Sequence, residues 1–157
     1  MKKIVLFTLI GLLFLSCNRD EEQVGIGFIP EFPFSRHINI DNPQYSSLRN
    51  VGGYAYLDEG YRGIIIVQEQ PNRFLAIERT CSYRSFDDCS KLHVDESGIF
   101  IKCGTYAEDA SEGEEPEFEP CCNSRFHLSG DPFEGPAVVP LKLYSVIRNG
   151  NILNITN

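Results

Sequence analysis

The sequence predicts an all-β protein, on three observations. Its apolar residues come in short runs, no long stretch carries the 3.6-residue periodicity of an amphipathic helix, and the runs are separated by residues with a physical reason to turn. In chain order the expected strands are 36–40, 54–57, 63–68, 74–78, 92–94, 99–103, 126–128, 143–148 and 152–156. Between them, Asp58-Glu59-Gly60, Gln70-Pro71-Asn72, Glu96-Ser97-Gly98 and Asn149-Gly150 supply residues suited to positive φ or to the fixed φ of proline. The last is the sharpest: between Val146-Ile147 and Ile152-Leu153, Asn149-Gly150 predicts a two-residue type I′ hairpin. Alternating apolar faces, with Ile64, Ile66, Leu75, Ile77, Ile99 and Ile101 among them, are expected to hold the sheets.

A chain of 157 residues is enough for one domain, and 42% apolar with 23% charged residues is the make-up of a packed one. The net charge of −8, with its 14 basic residues scattered, argues against a nucleic-acid partner, which demands a concentrated Lys/Arg face. At the N-terminus, Lys2-Lys3 precedes an apolar stretch over 4–15, too short to span a bilayer and right for an export signal. Leu13-Phe14-Leu15-Ser16-Cys17 then resembles a bacterial lipobox, with Phe14 where the usual motif has leucine. The expected organisation is a signal peptide over 1–16, a lipidated Cys17 with a tether over 17–31, and a domain over 32–157. Acyl chains on Cys17 would anchor the domain to a membrane surface of the cell envelope, at the outer membrane or periplasmic face, without crossing it.

One segment interrupts the strand rhythm. Residues 107–120 hold seven carboxylates (Glu108, Asp109, Glu112, Glu114, Glu115, Glu117 and Glu119) and, apart from Phe118, almost nothing apolar, so burial cannot offset the entropy of ordering them. The segment 104–119 is therefore expected to be an acidic loop insertion. Its spacing lacks the alternating ligands of a calcium loop.

Five cysteines fall in the domain: Cys81, Cys89, Cys103, Cys121 and Cys122. In an exported protein spaced cysteines default to disulfides, but an odd number leaves at least one thiol free, paired between molecules or bound to a metal. Immediate neighbours bridge only with strain, so Cys121 and Cys122 should serve different partners. Two cysteines follow one strand and three lie near the next strand and loop, the distribution expected where two loops converge on a metal or a staple. No phosphate loop, G-x-S-x-G elbow or H-E-x-x-H motif proposes catalysis.

Ser97-Gly98-Ile99-Phe100-Ile101-Lys102-Cys103, Pro120-Cys121-Cys122-Asn123-Ser124-Arg125-Phe126, Gly135-Pro136-Ala137, Pro140-Leu141 and Tyr144 together resemble the second half of a Rieske 2Fe-2S domain. Upstream, 63–67, Phe74-Leu75-Ala76 and Arg79-Thr80-Cys81 resemble the strands that lead into its first ligand loop. The likeness is greatest to small bacterial lipoproteins of this family with Cys-Cys in place of the second-loop Cys-His. It implies antiparallel sheets forming a base sandwich, with a smaller subdomain of two loops. A Rieske centre takes two cysteines and two histidines. The resemblance puts Cys81 and Cys103 at the cysteine positions, Tyr83 and Cys122 at the histidine positions, and Cys89 with Cys121 at the disulfide that joins the loops. His37, His93 and His127 fall elsewhere. The implied metal ligands are thus Cys81, Cys103 and Cys122, with Tyr83 the departure. The implied function is 2Fe-2S binding or electron transfer with non-standard ligands, beside an unknown redox or protein partner. Structural zinc on the thiolates, or a cluster-free binding or structural module stapled by disulfides, is the alternative.

Overall fold

The computed structural model describes residues 28–107, 113 and 116–157, so the expected signal peptide and Cys17 lie outside the described residues. Ten strands form two antiparallel sheets: β1 (Ser35–Asn39), β2 (Tyr54–Leu57), β3 (Ile64–Gln70), β4 (Arg73–Glu78), β5 (Leu92–Val94), β6 (Phe100–Tyr106), β7 (Phe118–His127), β8 (Pro132–Glu134), β9 (Leu143–Asn149) and β10 (Ile152–Thr156). One sheet runs β1-β10-β9-β4-β3-β2 and the other β5-β6-β7-β8. The protein is all-β as expected, with a single short 3₁₀ helix, Pro43–Arg49, among the described residues. No helix among them is long and apolar enough to cross a membrane.

Strand β3 explains how the layers join. Its residues Ile64, Ile65, Ile66 and Val67 are all fully buried, so both faces of the strand are covered. Because side chains alternate across a strand, Ile64 and Ile66 enter one core with Ile38, Leu153 and Ile155, while Ile65 and Val67 enter a second core with Leu92, Ile101 and Phe126. Cys81 and Cys103 belong to the second core, and Cys121 and Cys122 pack against it.

Several expectations are corrected in detail. The last hairpin pairs Asn149 with Ile152, so its two turn residues are Gly150 and Asn151, and only Gly150 has positive φ (61°). Positive φ at the first central position alone is the type II′ signature, not type I′. Ile99 is 71% exposed, because the strand begins at Phe100 and Ile99 belongs to the turn before it. The acidic insertion is shorter than 104–119: Gly104, Thr105 and Tyr106 pair with Pro120, Glu119 and Phe118, which extends both strands and leaves 107–117 as the connection. Tyr106, Phe118 and His93 meet edge to face, with centroids of Tyr106 and Phe118 5.3 Å apart, and this aromatic pairing zips the neck of the loop. The tether also ends early. Ile29 and Pro30 are half-buried, Glu31 meets Lys142 at 3.7 Å, and Phe34 packs edge-on to Tyr144, so the domain begins before residue 32.

Two buried polar centres lock the base. Glu78 is fully buried and accepts four hydrogen bonds, from the Tyr61 and Arg62 backbone N–H groups, the Thr80 hydroxyl and the Tyr144 hydroxyl. Beside it, burial and the Glu78 carboxylate push the Tyr144 phenol up. Arg79 donates from Nε to the Leu92 carbonyl, lies 4.2 Å over the Tyr56 ring, and comes within 3.3 Å of His93 Nδ1. An acceptor role for Nδ1 requires the neutral Nε2–H tautomer. Burial, with Arg79, Lys91 and Lys102 adding to it, holds His93 down to about 4.

Glu78→Ala strands two inward-facing N–H groups and should lower the unfolding free energy by about 3 kcal/mol, measured by urea titration. The depressed His93 sets a pH window. As pH falls from the ordinary histidine value of about 6.5 through about 4, the unfolded chain takes up a proton that the fold refuses, so stability above that window is lost across it. His93→Gln should flatten this part of the decline in urea titrations at pH 7, 5.5 and 4.5; equal slopes for both proteins would exclude the assignment.

Candidate metal centre

The site is built from an irregularity between β6 and β7. Lys102 pairs with Arg125 and Gly104 with Pro120, so a single residue, Cys103, stands opposite four: Cys121, Cys122, Asn123 and Ser124. A wide bulge of this kind re-aims side chains out of the ladder. Here it separates two neighbours that a regular strand would send to opposite faces of one sheet. Glycine makes the bulge fit. A Cβ on Gly135 would collide with the Asn123 and Ser124 backbone, and one on Gly104 with the Glu119 carbonyl. Ser124, itself buried, accepts a hydrogen bond from the Ala137 N–H (3.1 Å) and lies 3.3 Å from Cys122 Sγ.

The facing loop, 81–90, leaves β4 and is closed at its neck by a bridge between Thr80 and Lys91. Inside it the Asp87 N–H donates to the Arg84 carbonyl and the Ser90 N–H to the Asp87 carbonyl, while Arg84 takes positive φ (55°) and pairs with Asp87 at 2.8 Å. The result delivers Cys81 at the start of the loop and Cys89 near its end. Cys89 forms a disulfide with Cys121, with Cα atoms 5.3 Å apart, which is the pairing the resemblance implies. Asp87 has a carboxylate oxygen near these two sulfurs, but a disulfide has no thiolate to offer a metal.

The remaining three cysteines come together. Cys81, Cys103 and Cys122 have Sγ atoms all within 4.8 Å of one another, with Cys81 and Cys122 at 3.6 Å. Cys81 and Cys103 are buried and Cys122 is half-buried. The three share charge unequally. Hydrogen bonds from Cys103 and then Cys81, assisted by Ser124, hold the Cys122 thiol well below its usual range. Donation to Cys122 and Cys81, together with burial, pushes Cys103 up. For Cys81 a hydrogen bond from Cys103 pulls down, but donation to Cys122 and burial outweigh it and the thiol is raised. A compact, buried group of three sulfurs therefore carries one negative charge easily and resists a second.

This donor set could hold a metal ion. Thiolates on one tetrahedral ion, each about 2.3 Å from it, lie about 3.8 Å apart. The Cys81 to Cys122 separation is close to that. Tyr83 follows Cys81 by two residues, and its ring is half-buried against the second core. The histidines lie apart from the sulfurs: His37 is exposed, His127 is exposed against Phe133, and His93 belongs to the Arg79 centre. Ser124 and Gly135 were not singled out by their chemistry in the sequence. Their roles depend on the bulge, and Cys-x-Ser was the only local hint.

Fold and site thus define an antiparallel all-β protein with a buried three-thiol centre and one disulfide beside it. No protein-family model matches the chain, and no curated protein matches it.

The disulfide spans 32 residues of sequence. Chain-entropy reasoning for a loop of that length gives roughly 3 to 4 kcal/mol. Cys89→Ser with Cys121→Ser should therefore lose about that much stability in urea titrations, and should weaken any metal bound by the neighbouring thiols.

Proposed function

We propose that this chain is a thiolate metal-binding domain of Rieske-type architecture, carried at the cell envelope by a lipid on Cys17, with Cys81, Cys103 and Cys122 as the protein ligands. One observation carries the reading: three cysteines, one from the 81–90 loop, one from β6 and one from the irregular stretch of β7, have their sulfurs mutually within 4.8 Å inside the protein, while Cys89 of that loop and Cys121 of β7 are joined to each other. Two antiparallel sheets, with the 81–90 loop brought by a disulfide against β7 of the smaller one, support the architectural part. The lipobox-like Leu13-Phe14-Leu15-Ser16-Cys17 supports the membrane part, and the acidic charge supports a partner other than nucleic acid.

The spacing favours a single ion over a 2Fe-2S core. A 2Fe-2S cluster takes four protein donors divided between two irons. Its core would stand between Cys122 and the pair Cys81 and Cys103, yet Cys122 is 3.6 Å from Cys81, the separation of donors to one ion. Three thiolates select a soft or borderline ion such as zinc or iron. Bound there, iron would supply one-electron transfer and zinc a structural crosslink.

The test is metal and sulfide analysis, with the visible spectrum, on full-length protein from a host that assembles clusters. One metal ion per chain is expected, lost on Cys81→Ser, Cys103→Ser or Cys122→Ser with the disulfide retained. Two irons with two sulfides per chain and absorption beyond about 400 nm would instead establish the cluster. Protein free of metal, with Cys81 bridged to Cys122, would overturn the metal reading in favour of a stapled module.

A further inference from the structure

The chain enters the domain at one fixed place. From Glu31 to Phe34 it is pinned: Glu31 meets Lys142 at 3.7 Å, Phe32 stacks on Tyr61 with centroids 6.2 Å apart, and Phe34 stands edge-on to Tyr144. Just before this stretch, Phe28 and Ile29 line a cavity of about 340 Å³ with Val139 and Pro140, from the segment after β8, and with Ser82 of the 81–90 loop. Phe28 is 74% exposed and Pro140 is exposed, while Ile29 and Val139 are half-buried. Four apolar side chains from two distant segments thus border one cavity where the chain arrives.

Single exposed apolar side chains are ordinary on a protein surface, whereas a group of them marks a contact. What the contact meets follows from what lies upstream. Residues 18–27 separate Phe28 from Cys17. A stretch of that length reaches at most about 40 Å, so acyl chains on Cys17 hold Phe28 within that distance of the lipid. The bound is tightest for Phe28, because every other described residue hangs beyond it. Attraction to anionic headgroups needs a basic cluster. The chain has a net charge of −8, and beside the cavity the exposed Glu31 carboxylate offsets Lys142. A contact with lipid at this face is therefore apolar in kind, made by side chains entering the interface.

Resting on the reading of Cys17 as a lipid anchor, we propose that the face around this cavity lies on the membrane surface, with Phe28 and Pro140 entering the boundary between headgroups and acyl chains. The anchor then sets which way the domain faces as well as where it is held. Ser82, the neighbour of Cys81, lines the same cavity, so the start of the 81–90 loop lies on the membrane side.

The chain has no tryptophan, so Phe28→Trp in the full chain, processed by a bacterial host, places a single reporter at the contact. The control is Ile99→Trp, on a residue 71% exposed in the turn before β6 and outside the cavity lining. Each protein is reconstituted into vesicles of phosphatidylethanolamine and phosphatidylglycerol, with and without brominated acyl chains. Mass spectrometry of the N-terminus comes first: a mature chain with no acyl group on Cys17 would overturn the anchor on which the proposal rests. On lipidated protein, emission at position 28 should shift to the blue and be quenched by brominated lipid, in high salt as in low, while emission at position 99 should do neither. Pro140→Trp should behave like the reporter at position 28. Adding Phe28→Ser to it should lower the ratio of inserted to free reporter about tenfold or more, the worth of burying one phenylalanine. Equal quenching at positions 28 and 99, quenching abolished by salt, or a reporter at position 28 already shielded before lipid is added, by the chain itself or by a second copy, would each overturn the proposal with the anchor intact.

Discussion

The arrangement of the site depends on one constraint, the mismatch of one residue against four between β6 and β7. An antiparallel ladder fixes side-chain direction by strict alternation, and within it Cys121 and Cys122 could only point to opposite faces. Looping the pair out of register frees each to find its own partner: Cys121 reaches Cys89, and Cys122 reaches Cys81 and Cys103. The bulge is held from three sides. The disulfide ties its start to the facing loop, Ser124 ties its end to Ala137, and Gly135 lets the chain after β8 lie directly against it. Where these contacts converge, sulfur positions are set by backbone and not by flexible side chains.

The base sheet contributes rigidity from the other side. Strand β3 divides its side chains between two cores, so the core that holds Cys81 and Cys103 cannot shift without disturbing the one beneath. Strand β4 carries this into the first loop. Glu78, Arg79 and Thr80 are buried and hydrogen-bonded in succession, and Cys81 follows directly. The first of the three thiols is therefore the next residue after a buried, hydrogen-bonded run, which is the condition for a preorganised side chain.

Much of this was legible in the sequence because it is local. Strands such as 54–57, 92–94 and 152–156 are apolar runs bounded by turn residues, and they occur where expected. What failed was decided by register or tertiary contact. β8 is three partly exposed residues, Pro132 to Glu134, with no pattern of its own, and it exists only because β7 offers an edge. The 3₁₀ helix Pro43–Arg49 buries only Tyr45 and Leu48, too sparse a signal to mark an element. The acidic segment was judged by its charge, but its ends are decided by Tyr106 and Phe118, two aromatics that flank the carboxylates and pair across the neck. The gathering of sulfur from two stretches of chain was readable from cysteine spacing, and the pairing of Cys89 with Cys121 through the resemblance, but the expected second loop is instead the paired strands β6 and β7. The bulge that sorts Cys121 from Cys122 was not, since it is a property of two strands together.

The electrostatics of the three thiols bear on why a metal suits them. The largest influences on Cys81, Cys103 and Cys122 are the sulfurs themselves, with Ser124 beside Cys122 and burial opposing charge. A protein that stabilised thiolates for nucleophilic attack would surround them with cations or helix termini. Lys102 and Arg125, on the strands that carry Cys103 and Cys122, are paired with Asp95 and Glu134. Without a metal the group holds its second and third protons, because two adjacent buried thiolates repel without compensation. A divalent ion at the centre of the triangle would supply the missing positive charge, displace those protons and convert mutual repulsion into shared coordination. The charge balance of the site would then be completed from outside the chain, and the fold's part is to hold the three sulfurs within 4.8 Å of one another.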